Sequence, residues 1–306
     1  MPPFAGTEAT AAEPPPSRHI RRDVRAGEPA ALPREVVLEP PRGRFRPGIG
    51  ELWRYRELAV ILAWRDVKVR YKQTVLGAAW AVLQPAMMMV VFTVVFGRMA
   101  GMSTGDVPYP LFSYAGILPW TFFATAVAAA GNSVVGSERL ITKIYFPRLI
   151  VPFAAVGAAA ADFVVAFGLL LAMMLYYGVA PGAGMLLAPL IFLPIALTAL
   201  GVGTLLAALN VSYRDFRYVV PFLLQLWMFA TPSIYMATPA APAGFGIRSL
   251  LALNPMIALV AAFRAATLGG PVPWAALAAA SATSVATLIV GCLYFRAVED
   301  GLADVI

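Results

Sequence analysis

From residue 76 onward the chain is a succession of long apolar runs separated by short polar segments. The runs at 76–96, 111–130, 150–177, 185–209, 219–236 and 274–295 are apolar all round rather than along one stripe. A helix needs about 20 such residues to cross a hydrocarbon core of about 30 Å. The pattern therefore predicts an all-α integral membrane protein with six transmembrane helices. Gln84 and Pro85 fall inside the first run, where proline removes a backbone donor and is expected to kink the helix.

Two shorter segments behave differently. In residues 51–64, Leu52, Tyr55, Leu58, Ala59 and Leu62 recur at three-and-four spacing, while Arg54 and Glu57 fall elsewhere. That spacing predicts an amphipathic helix. Its Trp and Tyr, just ahead of a span, place it in the membrane interface, the alternative being a helix packed on a soluble neighbour. Segment 249–263 is apolar but too short to cross, and it contains Asn254 and Pro255. The expectation there is a short re-entrant or interfacial extracellular segment before the last span.

Charge sets the orientation. With both termini inside, only Arg98, Arg248 and Arg264 of the 23 Lys and Arg residues fall outside, as the positive-inside rule demands. The net charge of +7 could suggest nucleic acid, but 14 of the 23 basic residues precede residue 76 and the others punctuate apolar runs. A membrane surface is the better partner. Residues are 60% hydrophobic and 13% charged, against about a quarter charged in soluble domains, which agrees with the run pattern.

Residues 1–50 hold ten of the 26 prolines and almost no apolar periodicity, so they read as a disordered Pro-rich cytoplasmic arm. They lack a basic start followed by a short apolar stretch and a small-residue cleavage site, so no cleaved leader is expected. The organisation is then an arm at 1–50, an amphipathic interface region at 51–75, and a six-helix membrane domain at 76–306. No repeat of 20–50 residues argues for a repeat-built secondary transporter. The single cysteine, Cys292, excludes a disulfide framework within the chain.

Candidate chemistry is sparse. Asp162 lies about a dozen residues into the third run, where a charge costs about 2.5–3.5 kcal/mol to insert. It is either a pathway or coupling carboxylate, or a hydrogen-bonded packing residue. The one histidine, His19, lies in the arm. Nothing pairs a nucleophile with a base or assembles metal ligands, so neither catalysis nor a metal is expected of this chain. No G-x-x-x-x-G-K-[ST] phosphate loop occurs either. Any ATP must be hydrolysed elsewhere.

Three polar segments, 64–80, 132–148 and 210–218, mix charged with apolar or aromatic residues on the inner side. Each either sets topology or touches a partner. The second carries Glu138, Arg139 and Lys143 beside Leu140, Ile141 and Ile144, enough for a short amphipathic helix stopped near Pro147 and Arg148. Trp120, Phe122, Phe123 and Tyr235 belong to clusters of aromatics near span ends. They are either interfacial belt residues or faces on which sugar rings stack in a channel.

The stretch WRDVKVRYKQTVLGAAWAVLQP at 64–85 closely resembles the N-terminal signature of type-2 ATP-binding-cassette permeases that export polysaccharides and polyol phosphates. The likeness continues in the same order through Phe146-Pro147-Arg148 with Val151-Pro152, Ala161-Asp162-Phe163, and Ala208-Leu209-Asn210-Val211 with Tyr213-Arg214-Asp215-Phe216. Thr231-Pro232 with Ile234-Tyr235, then Asn254-Pro255-Met256 before Arg264, complete it. It spans roughly residues 51–306 and leaves the arm outside. Thr231 stands where Ser is expected.

What the resemblance implies is a six-helix subunit, dimerising with itself around a channel, with two copies of a separate nucleotide-binding subunit that uses ATP and Mg. The 51–64 helix would lie along the membrane surface. Arg65, Lys68, Arg70 and Lys72 would form a gate near a phosphate headgroup, although contact with anionic membrane lipids is an equal alternative. Glu138, Arg139, Lys143 and Arg148 would couple to the ATPase. The expected substrate is a lipid-linked glycan of the O-antigen, capsule or teichoic-acid kind, moved across a bacterial inner membrane. A drug or small-lipid exporter of the same superfamily and a membrane-embedded transferase are the alternatives.

Overall fold

The computed structural model describes residues 53–72, 74, 77, 79–102, 104–105, 107–144, 146–213, 215–231 and 254–299. Regular structure among these is entirely helical. In chain order, α1 is Arg56–Tyr71, α2 is Ala79–Phe92 continued by a π-helical segment Thr93–Met99, and α3 is Tyr109–Gly136. A single turn, α4, covers Glu138–Ile141 before α5, Ile150–Tyr176. After a 3-10 turn at Ala183–Leu187 come α6, Ala188–Ser212, α7, Phe216–Phe229, α8, Pro255–Leu268, and α9, Trp274–Glu299.

Five stretches are long and apolar enough to cross a membrane: Ala79–Met99, Tyr109–Gly136, Ile150–Tyr176, Ala183–Ser212 and Trp274–Glu299. They coincide with five of the six runs expected from hydropathy. The remaining run, 219–236, is represented by α7, whose 14 residues reach only about 21 Å. Its expected continuation past residue 231 lies outside the described residues. The short segment expected at 249–263 corresponds to α8, which extends further, to Leu268. Asn254 caps its start by accepting from the Met256 N–H, Pro255 takes the first turn, and Gly269 at φ 83° ends it. Residues 249–253 of that segment lie outside the described residues.

The helices meet through small residues, as they must where lipid supplies no hydrophobic drive between them. A Cβ added to Gly201 on α6 would meet the Leu288 backbone nitrogen on α9 at 2.6 Å, and one added to Gly203 would meet Ala130 Cβ on α3 at 2.6 Å. Buried polar groups then join the helices. Thr198 donates to Ser284 Oγ at 2.8 Å, Tyr114 OH donates to the Ala166 carbonyl at 2.9 Å, and Asn210 Nδ2 donates to the Gly131 carbonyl at 2.8 Å. Around this frame α3 is buried along most of its length, and α2 almost nowhere. The core therefore centres on α3, α5, α6 and α8, with α2 at the periphery.

One end of the bundle gathers α4, the α6–α7 turn and the end of α9, and carries Arg139, Lys143, Arg148, Arg217 and Arg296. The opposite end, bearing α8, holds Arg98 and Arg264. Arg148 fixes the first end. Its Nη1 donates to the Glu299 carbonyl at 2.7 Å and its backbone N–H to Glu299 Oε1 at 3.3 Å.

Two expectations about the inner segments are corrected. The helix expected over 51–64 does not stop there: it continues through the gate residues as one helix, α1, because RELAVILAWRDVKVRY contains no glycine or proline to break it. The chain turns only near Gly77, at φ 50°. The short amphipathic helix expected within 132–148 is reduced to α4, since residues 132–136 complete the last turns of α3 and the helix gives way to a turn at Thr142 and Lys143.

Candidate functional site

α1 lies beside the first half of α5 rather than standing apart from the bundle. At its base Leu62 is buried with Phe146, Ile150, Val151 and Ala154, and Tyr55, Leu58 and Ala59 pack on the same cluster. These are the inward positions that the three-and-four spacing selected. Further along, Ala63 faces Gly157, leaving only 3.4 Å to an added Cβ. At its end Arg70 Nη1 donates to Asp162 Oδ2 and Tyr71 OH to Asp162 Oδ1. Two residues singled out separately, the gate arginine and the membrane acid, are thus partners.

This pairing accounts for a carboxylate inside an apolar helix. Asp162 lies 12 residues, about 18 Å, along α5 from Ile150, where the far end of α1 reaches it. An opposite charge and a neutral phenol donor then face it. Burial pushes the Tyr71 hydroxyl up to about 12, with its hydrogen bond to Asp162 acting the same way, so it remains a donor across the physiological range.

The other gate residues have separate environments. Arg65 forms an ion pair with its neighbour Asp66 at 2.8 Å. Lys68 lies over the Trp64 ring, 5.4 Å from its centroid. Lys72 is exposed. Arg65, Lys68 and Lys72 share one helical face by their spacing, whereas Arg70 turns toward α5. The four cations therefore do not form a single cluster.

Between α1 and the junction of α3 with α4 lies an open cleft of about 690 Å³. Arg65, Asp66 and Arg70 line one wall, and Asn132, Ser133, Glu138 and Arg139 the other. The structure thus brings two of the gate residues and two of the coupling residues to one space. Glu138, Arg139 and Lys143 are exposed at this end of the molecule. Arg148 is not presented in the same way, being occupied with Glu299.

The aromatics stand otherwise than a channel requires. Trp120, Phe122 and Phe123 are 3%, 3% and 0% exposed. Phe123 meets Trp227 edge-on at 5.0 Å between centroids, and Phe122 lies 4.7 Å from Phe192 and 5.6 Å from Phe163. These rings fill the space between α3, α5, α6 and α7 within one chain, so both readings of them, as a belt and as stacking faces, give way to core packing. Tyr235 lies outside the described residues.

Several contributors went unread in the sequence. Tyr71 lies inside the quoted N-terminal stretch, one residue from Arg70, yet nothing local marks it as a ligand of Asp162. Asn210 is explained by its contacts: buried at 4% exposure, its Nδ2 reaches both the Gly131 carbonyl and, at 3.3 Å, Asn132 Oδ1. It ties the third inner segment to the wall of the cleft.

Residues 57–268 match the family described as ABC-2 type transporter. The O-antigen export system permease protein RfbA of Myxococcus xanthus is 32% identical over 258 residues, covering 84% of this chain and 98% of that protein. A protein of the same name from Klebsiella pneumoniae is 24% identical over 82% of this chain and 95% of its own. The polysialic acid transport protein KpsM of Escherichia coli is 22% identical over 78% of this chain and 92% of its own. A family match spanning more than two thirds of the chain, on helices that cross a membrane several times, means that the chain belongs to the ABC-2 type transporter family.

Proposed function

We propose that this chain is the membrane-spanning permease of an ATP-driven exporter that carries a lipid-linked polysaccharide outward across the cytoplasmic membrane of a bacterium. The observation that carries the reading is the 32% identity to an O-antigen export permease along 98% of that protein's length. The basic α1 and the cleft beside it supply a fitting entrance, since Arg65, Lys68 and Lys72 offer charge-assisted donors to a phosphate headgroup near the membrane surface.

Two copies of the chain surround a shared channel, each with a separate nucleotide-binding subunit that uses ATP and Mg. Both termini and α4 face the cytoplasm, in keeping with the basic residues gathered at that end. α8 is a re-entrant helix on the outer side. Glu138, Arg139 and Lys143 form the docking surface through which closure of the ATPase reaches α3 and α5. Transport requires that this closure favour one arrangement of the helices over another.

Affinity purification of the tagged chain from native membranes in mild detergent tests the architecture. A nucleotide-binding chain recovered in near-equal amount, with ATP hydrolysis in the eluate, is the expected result. Repeated recovery without any ATPase would overturn it.

A further inference from the structure

Asp162 stands between two spaces. Its partner Arg70 lines the cleft of about 690 Å³, while Asp162 itself lines a cavity of about 50 Å³ between α2, α3 and α5. Gln84, Thr121 and Thr125 also line that cavity, among apolar residues of α2, α3 and α5. Its volume and polar lining suit water. Thr121 Oγ1 is buried there without a hydrogen-bond partner. A carboxylate in such surroundings is stable only where donors face it. Arg70 and Tyr71 of α1 donate to Asp162, and the side chains of Gln84 and Thr121 line the same small cavity as Asp162.

The contact between α1 and α5 is also uneven. Its base is broad and apolar, with Tyr55, Leu58 and Leu62 against Phe146, Ile150 and Val151. Beyond Ala63 and Gly157 the polar contact at Asp162 holds the far end, and the chain leaves α1 toward a turn at Gly77. A broad base and a single polar anchor describe a hinge and a latch.

We propose that Asp162 is a positioning residue whose contact with Arg70 and Tyr71 latches α1 onto α5, and that α1 lifts from α5 during transport while Asp162 turns to the donors of the small cavity. The proposal rests on the transport reading above. Arg70 already lines the cleft, so opening frees its guanidinium from the Asp162 carboxylate and closing pairs it again. The latch thereby couples the state of the entrance to the packing of α2, α3 and α5, the helices that enclose the cavity.

The test uses the full chain in its complete complex, in inside-out membrane vesicles. In a Cys292→Ser background, Ala63→Cys with Gly157→Cys places two thiols at a spacing close to that of a disulfide. Oxidation is expected to cut ATP-driven delivery of polymer into the vesicles at least tenfold, and a reductant to restore it. With Ala63→Cys alone, Asp162→Asn is expected to raise the rate of maleimide labelling at least threefold, and the exchange Arg70→Asp with Asp162→Arg to return it to the parental rate. Full transport by completely oxidised vesicles overturns the proposal, as does a labelling rate that Asp162→Asn leaves unchanged. Should the Asp162→Asn chain not accumulate, the disulfide decides. Parental vesicles that move no polymer would instead sink the export reading, and labelling then decides the latch.

Discussion

Asn254 Nδ2 donates to Thr231 Oγ1 at 3.0 Å, joining the end of α7 to the start of α8 across the intervening stretch 232–253. The same asparagine caps α8 through its Oδ1, and Thr231 bonds back to the Trp227 carbonyl at 3.0 Å. Two signature segments far apart in sequence thus make one junction. The hydroxyl is what threonine retains of the serine expected at that position. Asn254→Ala, which removes the cap and the bridge together, is predicted to destabilise the chain by about 1–2 kcal/mol. Thr231→Ser is predicted to be nearly neutral, and Thr231→Val, which breaks the bridge but leaves the cap, to cost less than Asn254→Ala. Thermal unfolding in detergent distinguishes the three.

Phe123, fully buried against Trp120 and Trp227, is predicted to act on stability. Phe123→Ala should cost about 3–5 kcal/mol and lower the amount of folded chain. Any polymer moved per folded complex should change little. A channel-facing ring would show the reverse, full stability with impaired transport.

The α6–α9 contact has no room for a side chain. A Cβ on Gly291 would meet the Gly201 carbonyl oxygen and lie 2.5 Å from Thr204 Oγ1, whereas one on Gly168 would meet nothing within 4 Å. Gly291→Ala is predicted to cost about 1–3 kcal/mol or more, because backbone must shift. Gly168→Ala should be neutral or slightly stabilising. Yields of monodisperse protein after purification check the contrast.

Glu138 and Arg139 are exposed on the cleft wall and bear no core packing. Replacing either with Ala is predicted to leave the unfolding free energy within about 0.5 kcal/mol of the parent, in line with surface substitutions generally. ATP hydrolysis by the complex should persist while export falls at least fivefold. Equal export by both variants would remove the docking assignment.

Much of this arrangement was legible along the chain, and what was missed has a common cause. Crossing helices are read from length and hydropathy, and five of them lie where the apolar runs place them. The inner face of α1 followed from its spacing. Which helix that face meets did not, because Arg70 and Asp162 are 92 residues apart and neither a helical wheel nor a charge count pairs them. The aromatics failed for a related reason: a ring at a span end has the same sequence signature whether it meets lipid, sugar or another ring. Only the positions of α5, α6 and α7 around Trp120, Phe122 and Phe123 decide it.

The most direct test of the export reading is the surface of cells from which the coding sequence has been deleted, compared with cells that regain it on a plasmid. We predict loss of a surface polysaccharide, accumulation of its lipid-linked form on the cytoplasmic side, and recovery of both on complementation. Unchanged surface glycans, together with new sensitivity to small apolar drugs, would contradict the account and identify an exporter of a different cargo.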